Sequence, residues 1–257
     1  ITPKIISTVS GNTMPIINSW NFPVFKGNLE EINYTAHKQF VINTISPNSY
    51  GLACKSQIVK EALQKSDILI LDGLYFGWVA LFKQGIKINR IAGWDAFVFF
   101  SNELNKSHGR VFFLGSSEDT LQKIKKRYNK EYPNVEVGYY SPPFKPEFTV
   151  EDNEAMHETI HRFHPDVVFV GMTAPKQEVW DYENKNNVDA KIICSIGNVF
   201  DWYAGNSVRP AVIWQKIGLE WLVRIFYRPE IFKRNIGNQM LFFKHLLLNV
   251  LHLKKIE

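Results

Sequence analysis

Short apolar runs bounded by turn formers are the feature that most restricts what this chain can fold into. They are Phe40–Thr44, Ile68–Leu71, Val111–Leu114, Val135–Tyr139, Val167–Val170 and Lys191–Ser195. Most are apolar throughout rather than alternating, which predicts strands buried on both faces. Between them the apolar spacing predicts helices, near Tyr50 to Lys65, Leu74 to Gln84, Trp94 to Lys106, Glu118 to Lys130, Val150 to Phe163 and Lys176 to Asn186. Ser117 is placed to cap the fourth of these. Strands covered on both faces and separated by helices specify an α/β fold, a doubly wound, mostly parallel, Rossmann-like sheet. No internal repeat and no low-complexity linker interrupts the pattern. After Pro210 it becomes purely helical, so the expected division is an α/β domain over 1–209 and a helical C-terminal appendage over 210–257.

A doubly wound sheet binds its ligands at the carboxyl ends of its strands. Thr44, Asp72, Gly115, Gly171 and Gly197 all fall at such predicted ends. Asp72 follows four apolar residues and precedes Gly73, which places its carboxylate at the edge of a partly dry crevice, where it can serve as a base. The competing reading is that it caps the next helix. The segment from Asp166 to Glu178 reads as a strand, a turn at Gly171 and a helix start near Pro175, a place for a phosphate or polar ligand. Gln177 offers a donor and an acceptor to a polar ligand. Glu178 reads as a helix cap.

Four ordered motifs occupy about 60 residues: Gly171-Met172-Thr173-Ala174-Pro175-Lys176-Gln177-Glu178, Phe200-Asp201-Trp202-Tyr203-Ala204-Gly205, Gly218-Leu219-Glu220-Trp221, and the arginines from Arg224. Asp72-Gly73, Arg90 with Gly93 and Asp95, and Tyr139-Tyr140-Ser141-Pro142-Pro143-Phe144 precede them in order. The chain thereby resembles the WecG/TagA/CpsF glycosyltransferases (glycosyltransferase family 26) over roughly residues 40 to 240. The resemblance implies an inverting, metal-independent transfer from a UDP-sugar to a polyprenyl-diphosphate-linked saccharide, in assembly of capsule, O-antigen, exopolysaccharide or teichoic acid. It makes Asp72 the catalytic base. Arg224 and Arg234, with Lys233, would stabilise the leaving diphosphate, for which guanidinium forks are suited. Thr44, Arg90, Gly171, Gln177, Asp201 and Arg228 would bind the donor. Alternatives remain open at this point: Thr44 as a plain strand residue, Arg90 in a surface ion pair with Asp95, and the arginines in contact with membrane or solvent. Three positions depart from the family pattern. Ser46 stands for the usual asparagine in Thr44-Ile45-Ser46-Pro47, Asn198 follows Gly197 in place of a small residue, and Ile231 replaces an arginine.

Charge agrees with a polyanionic or membrane-bound substrate. From Gly205 onward there are nine Lys/Arg and three Asp/Glu, a net of +6, against −1 for the remainder. The run from Met240 to Leu253 is broken only by Lys244, His245, Asn249 and His252, and Lys254 and Lys255 follow it. It is too polar to span a bilayer and too apolar for an ordinary exposed helix. Two readings follow: a helix lying on an anionic membrane surface, or one packed on its own domain or on another copy in a homo-oligomer. The first places the protein in the cytoplasm, peripheral on the inner face of the bacterial membrane. Cys54 and Cys194 sit in apolar patterns and read as buried thiols of a reducing compartment. No Asp-x-Asp is present, so no metal and no cofactor is expected. His157, His161 and His164 read as a solvated helix face. No P-loop or G-x-G-x-x-G occurs, which weighs against a nucleotide-dependent oxidoreductase. A non-catalytic membrane- or nucleic-acid-binding module would leave Asp72 and Gln177 idle, and no nucleic-acid partner is expected.

Overall fold

The computed structural model describes residues 8–9, 12–32, 39–211, 213–214 and 229–251. Strands β1 (Thr8–Val9) and β2 (Asn12–Thr13) make a short antiparallel pair, followed by the hairpin β3 (Ile16–Ser19) and β4 (Phe22–Phe25). The chain continues through β5 (Phe40–Ile45), α1 (Pro47–Ala53), α2 (Gln57–Gln64), β6 (Ile68–Leu71), α3 (Tyr75–Gln84), α4 (Gly93–Ser107), β7 (Arg110–Leu114) and α5 (Glu118–Glu131). It ends with β8 (Glu136–Tyr140), α6 (Val150–Phe163), β9 (Val167–Val170), α7 (Lys176–Asn184), β10 (Ile192–Ser195), α8 (Val199–Ala204) and α9 (Pro229–Val250). An eight-stranded sheet has the order β3-β4-β6-β5-β10-β9-β7-β8. β3 runs antiparallel to β4, whereas β4–β6, β5–β10, β10–β9, β9–β7 and β7–β8 pair in parallel. The expected doubly wound, mostly parallel α/β architecture is therefore present. Every residue of β6, β9 and β10 is buried, as continuous apolar strands require.

Two local expectations are corrected. The single helix expected from Tyr50 to Lys65 is two, because Ser56 adopts an extended backbone (φ −138°, ψ 120°) and restarts the chain as the N-cap of α2. Cys54 consequently sits at an exposed helix end rather than in the core, while Cys194 is buried. The β3–β4 hairpin was not expected from the apolar pattern. Its turn relies on Trp20 and Asn21, both at positive φ, with the Asn21 N–H donating to Asn18 Oδ1 at 2.9 Å.

The chain forms two compact units. The described residues of 1–31, 44–92 and 209–257 make the first, and those of 32–43 and 93–208 the second. The first is organised by aromatic rings. Phe242 of α9 is fully buried, with ring centroids 5.7 Å from Trp20, 5.7 Å from Tyr50 and 5.8 Å from Phe76. Helix α9 packs on α1 at Gly51, where a Cβ would lie 2.4 Å from the Asn238 Cβ. Only glycine allows that approach. Lys55 Nζ donates to Asn238 Oδ1 at 2.6 Å, Asn238 Nδ2 donates to Asn48 Oδ1 at 3.0 Å, and the Tyr50 hydroxyl meets His245 Nδ1 at 2.8 Å.

One face of α9 is thus packed into its own unit, through Asn238, Phe242 and Leu246, and the opposite face is not. Met240, Phe243, Leu247, Val250 and Leu251 are exposed at helical spacing. No described helix is long and apolar enough to cross a membrane. The second unit packs β7, β9 and β10 against α6 and α7 through Phe112, Val168, Val170, Met156, Ile160, Trp180 and Ile193.

Because Phe242 fills a closed aromatic site, Phe242→Ala should cost about 3 to 5 kcal/mol of stability. Urea unfolding of the full chain checks this. A loss below about 1 kcal/mol would mean that α9 is not docked as described.

Candidate functional site

In the first unit, Thr44 is the penultimate residue of β5 and Asp72 directly follows β6. The two strand ends are tied by the Asp72 N–H, which donates to the Ile45 carbonyl at 3.0 Å. Both side chains are half-buried. Gly73 has φ +96°, and a Cβ built on it meets no atom within 4 Å, so the backbone next to the Asp72 carboxylate borders open space. Leu74, not Asp72, occupies the N-cap position of α3, and no side chain caps that helix. Ser46, the departure from the family asparagine, is occupied in a capping box. Its Oγ accepts from the Ser49 N–H at 3.2 Å, and Ser49 Oγ accepts from the Ser46 N–H at 2.7 Å. Arg90 is half-buried in the segment between α3 and α4. Arg234 is exposed on α9, its Nε donating to Asn235 Oδ1 at 3.4 Å. Arg224, Arg228, the Gly218-Leu219-Glu220-Trp221 motif, Lys254 and Lys255 lie outside the described residues.

In the second unit, the turn after β9 and the start of α7 hold Gly171 and Gln177. A Cβ at Gly171 would fall 2.4 Å from the Phe200 ring, so glycine is required there for α8 to pack. That packing fixes Asp201, the next residue of α8, whose carbonyl accepts the Asn206 N–H at 2.9 Å. Lys176 turns away from this turn. Its Nζ donates to the Lys145 carbonyl at 2.5 Å and lies 3.4 Å from the Phe148 ring centroid. Partial burial, with Lys145 nearby, lowers its pKa.

Glu178 does not cap α7. It is 2% exposed, and its Oε1 accepts from Gln177 Nε2 at 2.9 Å. One turn later Asp181 is completely buried and accepts from the Ser195 hydroxyl at 2.5 Å. Gln177 Oε1, Glu178 Oε2 and Asp181 Oδ1 are all buried and have no hydrogen-bond partner among the described residues. Burial raises the pKa of Glu178, and raises that of Asp181 well above the ordinary carboxylate value, with the Glu178 charge adding to the second. Cys194, on the neighbouring strand position, is a buried thiol pushed up by the same desolvation and is no nucleophile. The apolar pattern alone does not mark this cluster, although Asp181 falls three residues after Glu178 beside Trp180 on an otherwise core-facing stripe, and Ser195 ends a fully apolar strand. His161, His164 and Asp189 also converge, with ligand atoms within 4.8 Å of one another, but all three are exposed. His157 is instead held by Asn184 Oδ1 at 2.9 Å.

The buried acids set a pH dependence of stability whose sign is fixed. In the unfolded chain Asp181 and Glu178 titrate near 3.8 and 4.5, and in the native state they hold their protons to higher pH. Above the unfolded values the native state binds more protons, so stability falls as pH rises toward the folded pKa values. Urea unfolding between about pH 5 and 8 should show this decline, flattened in Asp181→Asn and Glu178→Gln. An unchanged slope in both variants would contradict the assignment.

The sequence matches the profile of the Glycosyl transferase WecG/TagA/CpsF family over residues 18–256. Among curated relatives, a protein of Bacillus subtilis (strain 168) is 28% identical over 233 residues, covering 90% of this chain and 88% of the relative. A protein of Bacillus spizizenii (strain ATCC 23059 / NRRL B-14472 / W23) is 25% identical over 213 residues, 83% and 81% of the two chains. One of Staphylococcus aureus (strain MRSA252) is 24% identical over 205 residues, 80% and 77%. All three carry the name N-acetylglucosaminyldiphosphoundecaprenol N-acetyl-beta-D-mannosaminyltransferase. With its α/β sheet, its strand-end residues and a profile match across nearly its whole length, the chain belongs to the WecG/TagA/CpsF family of glycosyltransferases.

Proposed function

We propose that the protein is an inverting, metal-independent glycosyltransferase that moves an N-acetylhexosamine from a UDP-sugar onto a polyprenyl-diphosphate-linked N-acetylglucosamine during bacterial cell-wall polymer synthesis. The observation that carries the reading is the position of Asp72. A half-buried carboxylate at the carboxyl end of a parallel strand, beside a glycine that faces open space, is placed to meet an incoming hydroxyl. The relatives' names support the acceptor class, and the beta configuration they print is the one that inversion of an α-linked nucleotide sugar would give.

In this mechanism Asp72 takes the proton of the acceptor hydroxyl while that oxygen attacks the anomeric carbon. The new C–O bond forms as the bond to the diphosphate breaks, and UDP leaves with the electron pair. Arg224 and Arg234 neutralise the charge that develops on the diphosphate. Their role replaces that of a cation held by Asp-x-Asp, a motif the sequence lacks. Thr44, Arg90, Gly171, Gln177, Asp201 and Arg228 are the residues we assign to donor binding. The division into a catalytic domain over 1–209 and an appendage over 210–257 belongs to the same proposal.

The acceptor's prenyl chain keeps it in the bilayer, so the enzyme must work at a membrane surface. Support comes from the first unit. The exposed apolar stripe of α9 lies beside exposed Trp78, Leu81 and Phe82 of α3, linked through Tyr75, whose ring is 5.3 Å from Phe243 and 4.9 Å from Trp78. Lys83 and Lys244 flank these side chains in sequence and are exposed. Aromatic and aliphatic side chains next to lysines suit the headgroup layer of an anionic bilayer. We accordingly place the protein on the inner face of the cytoplasmic membrane.

Asp72→Asn should preserve folding and UDP binding while transfer falls at least about a hundredfold; activity within about threefold of the parent would remove Asp72 from the mechanism. In the same assay, excess EDTA should leave the parent rate unchanged, and loss restored by Mg²⁺ or Mn²⁺ would refute metal independence. Leu247→Glu and Leu251→Glu, both at exposed positions, should abolish co-sedimentation with anionic liposomes without unfolding the chain. Undiminished sedimentation would show that this face does not meet the membrane.

A further inference from the structure

The side-chain amide of Gln177 has an orientation problem that its neighbours solve. An amide's oxygen and nitrogen have nearly the same shape, so a free glutamine offers a ligand either a donor or an acceptor. Here Nε2 is committed to Glu178 Oε1 at 2.9 Å, within a side chain only 4% exposed. Glu178 is itself buried within the second unit. Its neighbour one turn along, Asp181, is held by Ser195 from the end of β10. The other end of the amide is left over: Gln177 Oε1 is buried with no donor among the described residues.

That oxygen faces the turn after β10. A Cβ on Gly197 would start 3.3 Å from Gln177 Oε1, 3.7 Å from Nε2 and 3.8 Å from the Met172 carbonyl oxygen. Gly197 has φ +49° and carries no side chain, so the space where two acceptor oxygens converge is not filled by residue 197. A buried acceptor without a donor is destabilising, and that cost is recovered only when a donor arrives.

We infer that Glu178 is a positioning residue that holds the Gln177 amide in one orientation, with Oε1 toward the Gly197 turn, so that the substrate group received there is a hydrogen-bond donor. This rests on the reading of Gln177 as part of the donor site. It adds the polarity of that contact. The group met is a hydroxyl or an N–H of the nucleotide sugar, and never a phosphate oxygen or a carbonyl. Glu178 touches no substrate; it acts through the amide it holds.

The test separates the lock from the ligand. In the free protein, two-dimensional NMR of the side-chain amides should show the Gln177 NH₂ pair slowed in exchange in the parent and in Glu178→Gln, whose amide oxygen replaces the acceptor. In Glu178→Leu the protection should be lost. An unprotected Gln177 amide in the folded parent overturns the lock, whatever the protein's reaction. Calorimetry with UDP and with a UDP-N-acetylhexosamine then addresses the ligand. Glu178→Leu should weaken at least one of the two by about tenfold, and Glu178→Gln should restore it. The pattern across the two probes tells whether the donor group sits on the nucleotide or on the sugar. A protected amide with unchanged affinities in Glu178→Leu means that Oε1 is served by buried water only, and overturns the inference while leaving the transferase reading intact. No binding of either probe by the parent defeats the donor reading itself, and with it the ligand half of the inference.

Discussion

Burial of the parallel strands on both faces is the constraint on which the rest of the structure depends. β6, β9 and β10 have no exposed residue, so their middles can hold no chemistry. In these three strands polar side chains are confined to the ends, where the ladder stops and the backbone must turn. Asp72, Gly73, Gly171 and Gly197 all stand at such ends, and the alternation of strand with helix puts them there. The same constraint explains why glycines recur at these positions for different reasons. Gly73 and Gly197 accept positive φ in a turn, whereas Gly171 yields its side-chain volume to the Phe200 ring.

Against that apolar background the acidic cluster of α7 is the costly exception. Two carboxyl groups and an amide are buried within two turns of one helix, with three of their oxygens lacking partners among the described residues. The expected response is to retain protons, and both carboxyl pKa values move in that direction. Such an arrangement gives up stability in return for orientation. It is tolerable in the second unit because the surrounding core, from Val168 to Ile193, is densely apolar and fixes the helix that carries it.

Much of this could be read from the residues. Continuous apolar runs located the central strands to within a residue or two, and the Ser117 cap and the α6 helix followed from local chemistry alone. What escaped was set by contacts distant in sequence. Ser56 breaks a helix that apolar spacing alone would continue. The β3–β4 hairpin depends on positive-φ Trp20 and Asn21, a turn without the usual glycine. Glu178 sits in a first turn where carboxylates commonly cap, and only the packing of α7 shows that it points inward. The tail was legible as amphipathic yet ambiguous, because α9 is apolar on two sides. One side is used by Trp20, Tyr50 and Phe76, and the other is left exposed. The packed reading describes one of its two faces, and the proposal of membrane contact concerns the other.

Transfer to a lipid-linked acceptor is the proposal that family membership, the placement of Asp72 and the exposed face of α9 support. The most direct test is the product. The purified full chain, incubated with a UDP-N-acetylhexosamine panel and a short-chain prenyl-diphosphate-linked N-acetylglucosamine on anionic vesicles, should add one N-acetylhexosamine to the acceptor. The anomeric NMR signal of the new linkage should be β. An α-linked product would contradict inversion. Release of free sugar, or no change in the acceptor with any donor of the panel, would contradict the account of the protein as a transferase of this kind.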